Sequence, residues 1–104
     1  MLIKNLSTVY VFREELAEDV YVGTEKVDVY SHTVRASVQP AENRITAETY
    51  GERVYSMYAL YCFLGEDIGE EHKLSFTNAE KPTHKVVSVK RHHTHKVLMA
   101  EVIS

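Results

Sequence analysis

Three neighbouring stretches, "GEDIGEEHKLSF", "PTHKVVSVK" and "THKVLMAEVIS", constrain the fold more than any other part of the chain. Each carries a short apolar alternation bounded by tight polar loops, which is the signature of half-buried strands meeting in antiparallel hairpins. Val87 and Val89 are expected on one face of the penultimate strand, and Leu98, Ala100 and Val102 on one face of the last. Such a pattern predicts a compact all-β module rather than a scaffold carrying an active site.

The rest of the chain extends this reading. "STVYVFR" is rich in β-branched and aromatic residues, with Val9 and Val11 on one face and Thr8, Tyr10 and Phe12 on the other. "EELAEDVYVGTE" is acidic and glycine-punctuated and reads as an irregular connection. In "KVDVYSHTVRASVQP" the alternation changes phase: Val27 and Val29 belong to one, Val34, Ala36 and Val38 to the other. A one-residue change of phase inside a strand predicts a bulge, placed here between Tyr30 and Thr33. "AENRITAETYGERVYS" is polar and fits either a short helix or a long hairpin arm. "RVYSMYALYCFL" fits both periods, and its closely spaced aromatics and the "GED" turn that follows favour a strand. "HKLSF" is a short strand and "TNAEKP" a turn. The expected fold is therefore a small, closed or partly open antiparallel β-barrel of about six strands with a long inter-strand loop.

With 104 residues, 44% of them hydrophobic and 26% charged, the chain fits one globular domain and not two. A barrel this small leaves much of its surface wet, so association with other copies would stabilise it. Cys62 is the single cysteine; no intramolecular disulfide can form, and its apolar surroundings predict an inert buried thiol. The N-terminal stretch lacks the apolar core of a signal peptide, and no run approaches the roughly 18 apolar residues of a membrane span. A soluble protein made in the cytoplasm is expected, with no membrane partner.

Charge is unevenly spread. Acidic residues cluster at Glu14, Glu15, Glu18 and Asp19 and again at Glu66, Asp67, Glu70 and Glu71, whereas residues 81–96 hold five basic residues, four histidines and no carboxylate. Such a spread fits solvated loops, the usual state of charge runs, or a fold whose ends differ in sign and so suit stacking on a neighbour.

Signatures of catalysis are missing: the chain has no phosphate-binding or dinucleotide glycine motif, no nucleophile elbow and no His-Glu-X-X-His. No enzyme activity, cofactor or metal is expected. "RHHTHK" places His93 and His95 on one face of an extended chain, yet a hairpin tip gives a metal little fixed geometry. Lys90, Arg91, His92, His93 and Lys96 are better read as candidate contacts to DNA or a partner, for which point charges on a loop suffice. Tyr50, Tyr55, Tyr58 and Tyr61 could stack on bases, but the net acidic stretch around them favours core and subunit contacts.

The succession "VRASVQP", "TYGERVYSMYALYCFLGEDIGEEHKLSF" and "PTHKVVSVKRHHTHKVLMAEVI" resembles the head-closure proteins of long-tailed bacteriophages and prophages, also called stopper or head-completion proteins. The likeness spans most of the chain and is most specific at the "GEDI" turn and the closing hairpin. It implies a barrel that assembles into a ring, commonly a dodecamer, below the portal and adaptor proteins and above tail-completion or tail-tube proteins. The ring would close the channel on the viral double-stranded DNA after packaging and offer a platform for the tail at the virion's head-tail interface. In that family a long loop between barrel strands gates the channel. The matching segment here is about residues 41–55, with Glu42, Arg44, Glu48, Tyr50, Gly51 and Glu52.

These residues suit such a role on physical grounds. Carboxylates at Glu42, Glu48 and Glu52 would repel the DNA backbone and let it slide, and Gly51 can take a positive backbone angle at a bend. Leu2, Ile3, Val9 and Val11, in the N-terminal strand, are the expected contacts between copies, an exposed edge being a natural place for a neighbour to pair. Two other functions fit the sequence: a tail-completion or minor capsid protein at the same interface, and an oligonucleotide-binding small barrel.

Overall fold

A computed structural model describes residues 5–19, 23–41 and 51–103. Six strands account for most of them: β1 (Ser7–Asp19), β2 (Gly23–Pro40), β3 (Met57–Phe63), β4 (Lys73–Ser75), β5 (His84–Arg91) and β6 (His95–Val102), with one 3-10 turn at Gly51–Ser56 ahead of β3. All pairings are antiparallel, and the sheet closes on itself in the order β1-β2-β3-β6-β5-β4. The all-β barrel read from the alternation is therefore the fold. Two hairpins, β1–β2 and β5–β6, face each other across the ring, separated on one flank by β3 and on the other by β4.

The interior explains why these residues make strands. Val9, Val11, Val34, Ala36, Leu60, Cys62, Leu74, Val86, Leu98 and Ala100 alternate inward and are almost fully buried in one cluster with Ile68. Each large apolar side chain removed from water in this way contributes about 1.5–3 kcal/mol. β3 turns Leu60 and Cys62 into the barrel and Met57 outward, where Met57 packs with Ala41, Val87 and Met99 in a second, smaller cluster on the outer surface.

Two bulges set the curvature. Between β1 and β2 the register passes from Val11 opposite His32 to Phe12 opposite Tyr30, leaving Ser31 as the extra residue. This is the bulge that the change of phase in β2 predicts. A second one, on β5, leaves Val87 unpaired between Val86 and Ser88. It corrects the expected pairing of faces: Val86 and Val89 face the core, and Val87 joins the outer cluster.

The first connection is not irregular as expected. β1 and β2 stay in register to Asp19 opposite Gly23, although β4 pairs β1 only at Tyr10–Phe12 and β3 pairs β2 only at Ser37–Pro40. Residues 13–19 and 23–29 thus form a two-stranded ribbon standing off the barrel, about 23 Å long at the usual rise per residue. The molecule's extents, 49 × 30 × 23 Å, match an arm of that kind.

Candidate functional site

Strand direction sorts the features into two ends. The ribbon, residues 64–72 between β3 and β4, and the β5–β6 turn all lie at one end; the end of β2 and the start of β3 lie at the other, with residues 77–83 and the end of β6.

At the first end, residues 64–72 cross the mouth of the barrel, because β3 and β4 are not neighbours in the sheet. Lys96 holds this cap from below. It faces inward in the alternation that continues through Leu98 and Ala100, it is 2% exposed, and its ammonium donates to the carbonyls of Glu66 (2.5 Å) and Ile68 (3.0 Å). A buried ammonium needs such acceptors, since leaving one unpaired costs far more than the hydrogen bonds return in water. Two histidines add to the hold. His32 Nε2 donates to the Asp67 carbonyl at 2.6 Å with Ser31 Oγ against its Nδ1, and the Gly69 N–H donates to His72 Nδ1 at 3.0 Å. The Arg35 N–H also donates to the Glu66 carboxylate. Above the latch a cavity of about 540 Å³ is lined by the cap's carboxylates together with Arg91 and Lys96.

Lys96 is therefore not a contact for DNA or a partner: its charge is consumed inside the barrel. Lys90, Arg91, His92 and His93 are exposed at the β5–β6 turn. The turn is closed by the His92 N–H donating to the His95 carbonyl at 2.8 Å, with the two rings stacked 4.7 Å apart, rather than by His93 and His95 sharing a face. The acidic cap and this basic turn share one end, so the charge difference runs across that end and not between opposite ends.

Cys62, next to Lys96 in the interior, has its thiol pushed up to about 11, first by desolvation, which outweighs the nearby ammonium. At neutral pH it is protonated and not a nucleophile. Among the described residues no group of three His, Cys, Asp or Glu is arranged to hold a metal, and no helix is long and apolar enough to cross a membrane.

At the second end the structure shows how the segment proposed for channel gating is rooted. Ala41 donates to the Met57 carbonyl at 3.2 Å, and both residues are buried in the outer cluster, so the excursion between β2 and β3 leaves and returns at one point. Arg53 forks onto Glu101 of β6, with Nε and Nη2 each 2.8 Å from a carboxylate oxygen, and holds the Glu101 carboxyl below its ordinary range. Gly51 has φ +63°, the left-handed conformation expected of it, and opens the 3-10 turn in which Glu52 is exposed. Glu42, Arg44, Glu48 and Tyr50 lie outside the described residues. Tyr58 closes the barrel mouth here, edge-on to Phe76 and His84 at 5.3 and 5.5 Å, and burial lowers the basicity of His84.

Of the expected contacts between copies, Leu2 and Ile3 lie outside the described residues. Val9 and Val11 are 0% exposed in the barrel's own core, where both pair with β2 and Val11 also with β4. They cannot reach a neighbour. The feature that sequence reasoning passed over is the ribbon itself, which exposes Leu16 at 71% and carries six carboxylates against two cations between Arg13 and Asp28. At its base Glu14 and Asp28 stand directly opposite each other, a repulsive cross-strand pair, and Lys73 bridges them at 3.3 and 2.9 Å.

No protein-family model matches the sequence, and no curated protein is significantly similar to it. The solution structure of protein SF1141 from Shigella flexneri 2a superposes with a TM-score of 0.67, covering 98% of this chain and 96% of that one at 13% identity. At that identity the likeness speaks to the fold alone.

Proposed function

We propose that this chain is a head-closure protein of a phage or prophage head-tail connector. Copies form a ring below the portal and adaptor, shut the channel on packaged double-stranded DNA, and present the surface on which the tail docks. The protein acts in the virion by shape and copy number and converts no substrate.

One observation carries this reading beside the sequence resemblance: the rooting of the excursion between β2 and β3. Its two ends are a single hydrogen bond apart, sealed by Ala41, Met57, Val87 and Met99, and braced by Arg53 on Glu101. A barrel that fixes both ends of a polar segment at one mouth offers what a gate needs, a rigid frame from which many copies of one segment can converge. The carboxylates of that segment favour passage of DNA over adhesion.

Deleting the gene from the genome that carries it tests the proposal. Electron microscopy of the lysate should then show heads that have lost their DNA beside unattached tails, and added purified protein should restore infectious particles. Intact virions without the protein would overturn it, and full, stable heads beside tails lacking their upper end would move it to tail completion.

A further inference from the structure

The two hairpins of the barrel carry opposite charge and stand on opposite flanks of the ring. The β1–β2 ribbon holds six carboxylates and two cations between Arg13 and Asp28, whereas the β5–β6 turn exposes Lys90, Arg91, His92 and His93 with no carboxylate among them. Both lie at the same end of the barrel, and in the sheet order β1-β2-β3-β6-β5-β4 they occupy opposite flanks. Within one copy they cannot meet, because the barrel stands between them.

From this arrangement we infer that the acidic ribbon of one copy docks against the basic β5–β6 turn of the next, making the head-to-tail interface by which the chain assembles. The inference rests on the ring-forming reading above and names the surfaces that would build the ring. Complementary patches at one level on opposite flanks form a heterologous interface, which yields a closed ring when its rotation closes. A patch that met itself would yield only a dimer.

The ribbon has further marks of a surface that another chain covers. A two-stranded ribbon by itself is at best marginally stable in water, and this one has neither β3 nor β4 alongside residues 13–19 and 23–29. Leu16 stands out on it at 71% exposure. Its backbone edges are open to a neighbouring strand or turn. Lys73 neutralises the base, at Glu14 and Asp28, and Arg13 pairs with Glu15, leaving Glu18 and Glu25 to a partner.

Charge swapping tests the contact in the full-length chain. Native mass spectrometry at low ionic strength should show assemblies for the unaltered protein, dissociating at 1 M salt, where the screening length falls to about 3 Å. Reversing the ribbon (Glu18→Lys with Glu25→Lys) or the turn (Lys90→Glu with His93→Glu) should give monomers that keep the strand signal in circular dichroism. Mixing the two variants should restore assemblies containing both in equal number, since each then supplies the charge the other lacks. A protein that stays monomeric at low salt, a reversed variant that still assembles, or a mixture that does not reassemble would overturn the inference. So would loss of duplex DNA binding, with assembly intact, on reversal of the turn, because that outcome gives the turn to DNA. Assembly that ignores the charge swap, in a protein whose gene is still needed for closed heads, would defeat this interface and leave the connector reading standing.

Discussion

The same two strands build part of the buried core and an exposed arm of this molecule. Up to Phe12, β1 belongs to the ring, paired with β2 throughout and with β4 at Tyr10–Phe12, and its inward side chains Val9 and Val11 are wholly buried. Past Phe12, the strand keeps its register with β2 but has no second neighbour, and its side chains become Arg13, Glu14, Glu15 and an open Leu16. Hydrogen-bond pairing is thus equally regular in the two regions, and what separates them is the number of neighbouring strands. Only where the ring closes does alternation produce a core.

The largest effect that separates the two regions should come from one leucine in each. Leu98→Ala empties volume at the centre of the barrel and should destabilise by about 2–5 kcal/mol. Leu16→Ala should change the stability of the monomer by less than about 0.5 kcal/mol. Chemical denaturation of both variants makes the comparison, and a costly Leu16→Ala would mean that the ribbon folds as part of the core.

Lys96 comes next, because it marks where the barrel's interior meets a polar cap. Lys96→Ala strips the donor from the Glu66 and Ile68 carbonyls and should cost about 1–3 kcal/mol, the range for leaving buried polar groups unpaired. Lys96→Met keeps the apolar stem and should recover part of that loss. Hydrogen exchange should accelerate at His72, whose N–H is bound to the Gly69 carbonyl within the cap, and change little in the ribbon. Faster exchange in both would show that cap and ribbon open together.

What the sequence disclosed follows the same division. The closing hairpin, β3 and the bulge at Ser31 were legible because a dry interior imposes a period of two, and the passage from Val29 to Val34 breaks that period by one residue. The ribbon was not, since "EELAED" has no apolar alternation and its extended form is imposed by pairing with β2. Lys96 had a readable sign, its place two residues before Leu98 on the inward face, but its acceptors are backbone carbonyls, which no residue type encodes. The outward turn of Val87 comes from a bulge that uninterrupted valines conceal. Of the candidate site, Gly51 was legible from its lack of a Cβ, whereas the clamp of Arg53 on Glu101 joins positions far apart in the chain.

A smaller effect is expected at the seam between the two regions. Lys73 has its ammonium raised above the ordinary lysine range, first by the hydrogen bond to Asp28. A raised folded value means that its stabilisation is complete below the unfolded lysine value and is lost as pH climbs through the folded one. Lys73→Ala should cost about 0.5–1 kcal/mol at neutral pH and remove that alkaline dependence. The cost should shrink at high salt, which screens the repulsion between Glu14 and Asp28. A loss independent of pH would point to packing rather than charge.

The smallest effect belongs to Arg53 and Glu101, which join the excursion between β2 and β3 to the barrel. The Glu101 carboxyl is depressed, chiefly by the hydrogen bonds from Arg53. Its contribution is therefore present above the unfolded glutamate value and fades as pH falls through the lower, folded one. Arg53 is about half exposed, so solvent screening limits the pair to less than about 1 kcal/mol. Arg53→Gln should lower stability by no more than that at neutral pH and make the acid limb of the stability profile shallower, as unfolding in urea across pH 3–7 would show. A larger loss, shared by Met57→Ala, would instead make the outer cluster a structural continuation of the core and the excursion an integral part of the barrel.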